Sequence, residues 1–424
     1  MATPPPDPTP EAVARWFGWR FTRALDLAPL PAPALRFLAG PSLVCRKRLS
    51  FAGYSGSQTV DAWRLRFGEV FGPCKGGVRF HPGVDEANLT ALAARILLKC
   101  AVNGLPHGGA AGGVAVDPRK LGAAGRVALA RAYVTAYADL IGGDRDILSP
   151  DVGTDAGLMA VMSETLDTLR RRFEPSAING KPPGRGGVPG RHGATARGAF
   201  AVLDTLLENG TGPGPAALTG LTIAVQGFGA AGSTFAVEAA RRGARIVAAA
   251  DASACLHAAA GLPVDALVAS KAGGRAFSTF EHPGVTVAAR ETVFTPQADW
   301  LVCAALGGAV DAPIAAALRC GLVVEIANGA VDDAGDAVLQ TRGVTVVPDV
   351  VVNAGGITVS HFEWVVGRTG APLTAEEVAA RLDLRMRETA RRLRETATAA
   401  GVPLTVAAQL LAIDRLHAAL ESRT

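Results

Sequence analysis

Leu221-Thr-Ile-Ala-Val-Gln226 runs directly into Gly227-Phe-Gly-Ala-Ala-Gly232, and this junction decides the fold. The first six residues form a short apolar run suited to a buried strand. The glycines at 227, 229 and 232 stand where a strand turns tightly into a helix. The helix pattern runs to Arg242 and stops at Gly243, and a second apolar run, Arg245 to Ala250, ends on Asp251, 24 positions after Gly227. Strand, glycine turn, helix, strand and terminal acid specify a βαβ unit able to hold a dinucleotide. Gly227 permits the turn, Gly229 lets backbone approach a pyrophosphate, Gly232 lets the helix pack on the sheet, and unpaired N–H groups at the helix start face the anion. Asp251 is expected to accept hydrogen bonds from the adenine-ribose hydroxyls and to repel a 2′-phosphate, which leans towards NAD. Ser253, Arg241, Arg242 and Arg245 pull towards NADP.

Outward from this unit, Trp300 to Ala304, Leu322 to Ile326 and Val344 to Val347 are further apolar runs alternating with helix-like segments, as a doubly wound parallel sheet requires. Upstream, the Gly- and Pro-rich segment Asn179 to Gly193 reads as a hinge, followed by a helix from Ala194 to Asn209-Gly210. Before the hinge, Glu86 to Val102 carries Leu89, Leu92, Ala93, Ile96, Leu97 and Cys100 at helical spacing. Lys99 falls at the edge of that stripe, either reaching a cleft or snorkelling at the surface. Downstream, Thr374-Ala-Glu-Glu377 is a capping box opening a long helix with Val378, Leu382 and Leu393 on its apolar side and a charged, solvated face. The expected fold class is α/β. Residues 1–11 are a disordered tail, 12–193 a substrate-binding and oligomerisation domain, 194–365 a Rossmann-type dinucleotide-binding domain, and 366–424 helices returning to the first domain.

The 424 residues carry 42 basic and 38 acidic side chains, a net +4 that argues against nucleic acid or an anionic membrane as partner. A small molecule is the better expectation. Six scattered cysteines without a CxxC pair read as reduced, mostly buried thiols, with no metal site. The opening MATPPPDPTP has no apolar run of a secretory signal, and Leu301 to Leu318 is interrupted by Gly307, Gly308, Asp311 and Pro313. A cytoplasmic location is expected.

Several motifs then fall in one order: Lys75-Gly-Gly-Val-Arg-Phe-His-Pro82, Lys99, Pro106-His-Gly-Gly-Ala-Ala-Gly-Gly113, Pro150-Asp-Val152, Val225-Gln-Gly-Phe-Gly229 and Asn353-Ala-Gly-Gly-Ile-Thr-Val-Ser-His-Phe-Glu-Trp364. Together they resemble the glutamate dehydrogenase branch of the Glu/Leu/Phe/Val dehydrogenase superfamily. The resemblance implies oxidation or reduction at the CH–NH₂ group of an amino acid with NAD or NADP. It implies that Lys75 and Ser360 hold a side-chain carboxylate, Lys99 an α-carboxylate, and that Asp151 is the catalytic proton shuttle. A local alternative for Asp151 is helix capping before Thr154 and Asp155. Phe228 lies within the fingerprint, and Thr195, Asn328 and Asn353 match positions near the nicotinamide or serve as turn and capping residues. A cytosolic homo-oligomer, a hexamer, is implied as well.

One departure stands out. The family's G-G-A-K-G-G segment reads Gly108-Gly-Ala-Ala-Gly-Gly113, so Ala111 replaces the catalytic lysine that polarises water. General acid–base groups supply about 10²- to 10⁴-fold, so deamination is expected to be impaired or altered. The alternative is a catalytically silent homologue serving as a ligand-binding regulatory or structural subunit. Lys120, Lys181, Arg185 and Arg191 are the cations that could substitute. A smaller departure is His361 in place of an aromatic residue.

Overall fold

The computed structural model describes residues 9–53, 56–208, 218–305 and 307–422. The chain divides into two compact units, one comprising Met1–Arg191, Ile357–Arg381 and Gln409–Thr424, the other His192–Gly356 and Leu382–Ala408. The tail expected over 1–11 lies outside the described residues up to position 8, and a helix already begins at Pro10.

The first unit opens with three short helices, α1 (Pro10–Phe17), α2 (Trp19–Leu27) and α3 (Ala32–Leu38). Then come β1 (Leu43–Gly53), β2 (Gly56–Phe67), β3 (Cys74–Phe80), α4 (Glu86–Val102), β4 (Gly108–Val114), α5 (Gly122–Tyr137), β5 (Asp146–Pro150) and α6 (Ala156–Arg170). The sheet order is β1-β2-β4-β3-β5, with β3 parallel to both β4 and β5 and the other pairs antiparallel. Leu129, Tyr133, Met159, Met162 and Leu166 from α5 and α6 pack with Val78, Phe80 and Leu148 in the core. Within this core Arg64 Nε donates to Asp146 Oδ2 at 2.9 Å, both side chains fully buried. Burial opposes the guanidinium's charge, but Asp146 outweighs it and holds the pKa above its ordinary value. The helix α4 matches its expected span and is capped by Asp85, whose Oδ1 accepts from Asn88 N at 2.7 Å.

The second unit holds α7 (Ala194–Leu207), β6 (Thr222–Gln226), α8 (Ala230–Arg241), β7 (Arg245–Ala250), β8 (Cys255–His257), α9 (Val264–Ala272), β9 (Thr286–Ala288), β10 (Trp300–Cys303), α10 (Ala312–Ala317), β11 (Leu322–Glu325), α11 (Asp333–Thr341), β12 (Thr345–Val347) and α12 (Asp349–Val352). The sheet runs β12-β11-β10-β6-β7-β8-β9, parallel from β12 to β7. The antiparallel edge, β8 and β9, is an addition to the expected parallel sheet. Chain order reverses between β6 and β10, and such a switch point opens a crevice at the strand C-termini. The end of the α7 helix expected at Asn209-Gly210 lies outside the described residues.

The chain continues as α13 (Gly355–Thr369), α14 (Ala375–Ala400) and α15 (Leu404–Glu421). The capping box is present: Thr374 N donates to Glu377 Oε2 at 2.8 Å and Glu377 N to Thr374 Oγ1 at 3.2 Å. Two expectations need correction. The second unit closes at Gly356, before residue 365, and Leu382–Ala408 belongs to it and does not return to the first. The reason lies on the supposedly solvated face of α14: Arg387 Nη1 donates to Glu208 Oε1 at 2.8 Å, and Arg394 donates to the Thr205 carbonyl at 2.9 Å, tying α14 to α7.

All six cysteines are free, Cys74 and Cys100 buried in the first unit and Cys255 and Cys303 in the second. Burial pushes each of these thiols up, Cys100 to about 12. Among the described residues no single helix is long and apolar enough to cross a membrane.

Candidate functional site

In the first unit, strand register assembles the candidate residues on one sheet face. Lys75 on β3 pairs with Gly109 on β4 and Ile147 on β5, Gly77 pairs with Ser149, and Ala111 pairs with Leu65 on β2. Side chains alternate along a strand, so Lys75, Ala111 and Ser149 point the same way. Asp151, just past β5, joins them: a Cβ on Gly77 would lie 2.6 Å from the Asp151 Cβ. Glycine at 77 thus leaves the room that the aspartate fills.

Lys75 is 1% exposed, and its ammonium donates to Asn179 Oδ1 and, at 3.3 Å, to the Ser360 carbonyl. Both acceptors are uncharged. Burial therefore dominates and pulls the ammonium down to about 7, opposed by Glu363 and reinforced by Arg191 and Lys181. Ser360 meets Lys75 through its backbone, while its hydroxyl lies 3.4 Å from Ser149 Oγ. Lys99, in the last turn of α4, is 6% exposed, which excludes the surface-snorkelling reading.

Asp151 forms a forked ion pair with Arg79, Nη2 to Oδ1 at 3.1 Å and Nε to Oδ2 at 3.3 Å, and Oδ1 also accepts from Val152 N at 2.7 Å. It does not cap α6. Asp155 does, accepting from Leu158 N at 3.0 Å. Arg79 is the charged neighbour that sequence reasoning passed over, although its place four positions after Lys75 on one strand puts both on the same face.

Ala111 is buried at the centre of this face. Of the cations that could have substituted, Lys181 donates to Glu363 Oε1 at 2.9 Å and to the carbonyls of Pro175 and Ile178. Arg185 pairs with Glu164 at the surface, Lys120 is exposed, and Arg191 is half-buried, its pKa lowered by desolvation with Glu363 opposing. His361 reaches His107, Nδ1 to Nε2 at 3.0 Å, and both rings pack against Trp364. Burial, with Lys75 adding to it, pushes His107 down to about 2, so this imidazole is neutral.

In the second unit the glycine turn has the form a dinucleotide needs. Gly227 has φ +94°, and a Cβ there would meet the Ala305 Cβ at 2.6 Å. A Cβ on Gly232 would come 1.9 Å from the Gly227 carbonyl, whereas one on Gly229 would find nothing within 4 Å. That bare side leads to the start of α8, which has no side-chain cap, so backbone N–H groups face open space there. Phe228 is buried, its ring 5.2 Å from Phe277. Asn353 Nδ2 donates to Asn328 Oδ1 and to the Ile326 carbonyl, each at 3.0 Å, which joins two of the expected asparagines. Thr195 Oγ1 lies 3.3 Å from where a Cβ on Gly356 would sit. The buried oxygens Gln226 Oε1 and Asn353 Oδ1 have no hydrogen-bond partner among the described residues. A dinucleotide fits this cradle.

Asp251 follows the end of β7, as expected, but its carboxylate is occupied. Oδ1 accepts from Ser253 N, Ser253 Oγ and Ala254 N, and Oδ2 from Lys271 Nζ and Phe277 N. Arg242 is held by Glu238 and Asp204, Arg241 ends α8, and Arg245 opens β7 at the opposite end from Asp251.

A doubly wound sheet with this turn, and a separate sheet presenting the buried Lys75 on the face that Asp151 joins, define a two-part α/β protein of the nucleotide-dependent dehydrogenase class. Residues 186–424 match the model of the Glutamate/Leucine/Phenylalanine/Valine dehydrogenases, and residues 43–168 match that of the Glu/Leu/Phe/Val dehydrogenase dimerisation domain. The chain belongs to this family. It is 34% identical to an NADP-specific glutamate dehydrogenase of Synechocystis sp. over 85% of each chain. It is also 34% identical to an NAD-specific glutamate dehydrogenase of Staphylococcus aureus, covering 86% of this chain and 87% of that one. A hetero-hexameric glutamate dehydrogenase from Thermus thermophilus in a Leu-bound form superposes with a TM-score of 0.91 at 35% identity, covering 100% of this chain and 99% of that one.

Proposed function

We propose that the protein is a glutamate-dehydrogenase-like subunit that binds a dicarboxylic amino acid or its 2-oxo acid with a nicotinamide dinucleotide, and whose turnover is impaired at the water-dependent step. The observation that carries this reading is the position of Ala111: a methyl group at the centre of a sheet face that keeps Lys75, Ser149 and Asp151. Lys75 and Lys99, both buried, would grip carboxylates through charge-assisted hydrogen bonds, with Ser360 beside Lys75. Asp151 would move a proton at the substrate amine once Arg79 yields part of its hold. The dinucleotide, when bound, supplies the hydride acceptor or donor. Gly227, Gly229 and Gly232 would hold its pyrophosphate, and Thr195, Phe228, Asn328 and Asn353 would line its path. What is missing is an ammonium to activate water, and a methyl group cannot provide it.

Assembly as a hexamer and a cytoplasmic location accompany this reading. The silent-subunit alternative also has a specific support, since a relative 35% identical is a hetero-hexamer. Purified protein mixed with NADH or NADPH, ammonia and a panel of 2-oxo acids separates the two. Slow turnover by the wild type, raised about 10²- to 10⁴-fold by Ala111→Lys, supports an impaired enzyme. A wild type that binds ligands and never consumes coenzyme, beside an active lysine variant, supports the silent subunit.

A further inference from the structure

Preference for NAD requires a free Asp251 carboxylate, and the local geometry does not leave it free. Its side chain is only 8% exposed and both oxygens are saturated: Ser253 N at 2.7 Å, Ser253 Oγ at 2.6 Å and Ala254 N at 3.1 Å on one, Lys271 Nζ at 2.8 Å and Phe277 N at 3.0 Å on the other. Although burial works in the opposite direction, the bonds from Lys271 and Ser253 hold this carboxyl well below the usual range. It is ionised and committed to the loop. A ribose hydroxyl would have to displace one of five donors to reach it.

The same contacts change the charge that a coenzyme meets. Lys271, the partner of Asp251, cancels its charge, and a 2′-phosphate no longer faces an unopposed carboxylate. Lys271 is one third exposed and has three donors, of which Asp251 takes one; its ammonium also lies 5.4 Å from the Phe277 ring centroid, which orients it. Arg275 is exposed three residues past the end of α9. Ser253, exposed after the acid, accepts from Ser278 N at 3.1 Å and pins this loop.

We infer that the adenosine end of the cradle is built for a ribose 2′-phosphate, with Lys271 as the specificity-determining cation, so that the coenzyme class is NADP(H). The inference rests on the dinucleotide reading above and sharpens it. Lys271 lies on α9, away from the fingerprint, and no arginine weighed from the sequence takes this place.

The test is binding, not turnover. Coenzyme-free protein is titrated with NADPH and NADH by nucleotide fluorescence, and with 2′,5′-ADP and 5′-AMP by calorimetry. NADPH is expected to bind at least about tenfold more tightly than NADH, and 2′,5′-ADP more tightly than 5′-AMP, as one charge-assisted contact provides. Lys271→Ala is expected to remove most of the preference and Lys271→Arg to keep it, each with a melting curve to verify folding. NADH binding as tightly as NADPH, or a Lys271→Ala loss shared equally by both, overturns the inference and leaves the dinucleotide reading intact. Absence of binding by either nucleotide overturns both.

Discussion

Two six-residue stretches of nearly the same composition, Gly108-Gly-Ala-Ala-Gly-Gly113 and Gly227-Phe-Gly-Ala-Ala-Gly232, have opposite structural roles. The first is a central strand in which the glycines are forced by packing. A Cβ on Gly108 would lie 1.9 Å from the Gly68 carbonyl, on Gly109 2.0 Å from the Ala93 carbonyl, on Gly112 2.1 Å from the Tyr133 hydroxyl, and on Gly113 2.5 Å from the Arg79 carbonyl. The second leaves its strand, and crowding at Gly227 and Gly232 shapes a turn around the unobstructed Gly229. In both, the crowded positions serve the fold. Gly229, which has open space beside it, and position 111, which already carries a Cβ, are those to which the sequence assigns chemistry.

The largest effect that could break this comparison is Gly109→Val. Its side chain would drive into the α4 backbone, and a loss of about 3 kcal/mol or more, or no soluble protein, is expected on thermal melting. Ala111→Lys, by contrast, should raise turnover as described while moving stability by much less. If the lysine variant melts as badly as the valine variant, position 111 is a packing position after all. Gly229→Ala should leave stability within about 0.5 kcal/mol and weaken dinucleotide binding about tenfold or more, because the methyl occupies the pyrophosphate approach. Equal loss of stability there would make the turn a packing device and not a cradle.

The smallest effect is in pH. Lys75 is pulled down to about 7 in the free protein, so its ammonium fraction falls as pH rises through that value. Diacid affinity should fall with it, by at most about tenfold per pH unit, until pH passes the higher pKa in the complex. Over that interval binding takes up a proton, measurable by calorimetry in buffers of different ionisation enthalpy. Lys75→Met should abolish both the proton uptake and the slope.

The second unit was the more legible in the sequence. Its parallel strands are covered on both faces and read as continuous apolar runs, so β6, β7, β10, β11 and β12 were all found within a residue or two. The three-residue strands β8 and β9 are too short to show a period. In the first unit the span of α4 was legible from its apolar stripe, but the sheet contacts were not. Arg64 meets Asp146 only because register joins distant strands, and no local pattern announces it. Lys271 was missed for the same kind of reason, since its contact with Asp251 depends on where α9 docks. Arg79 was visible in the motif, yet its partner across the sheet was not.

The buried thiols have a practical consequence. Cys74 and Cys100 lie in one unit and Cys255 and Cys303 in the other, and none reacts readily while enclosed. Each unit therefore carries its own native clock: the rate at which an alkylating reagent marks each pair, followed by mass spectrometry, reads how often that unit opens, with no label added to the chain.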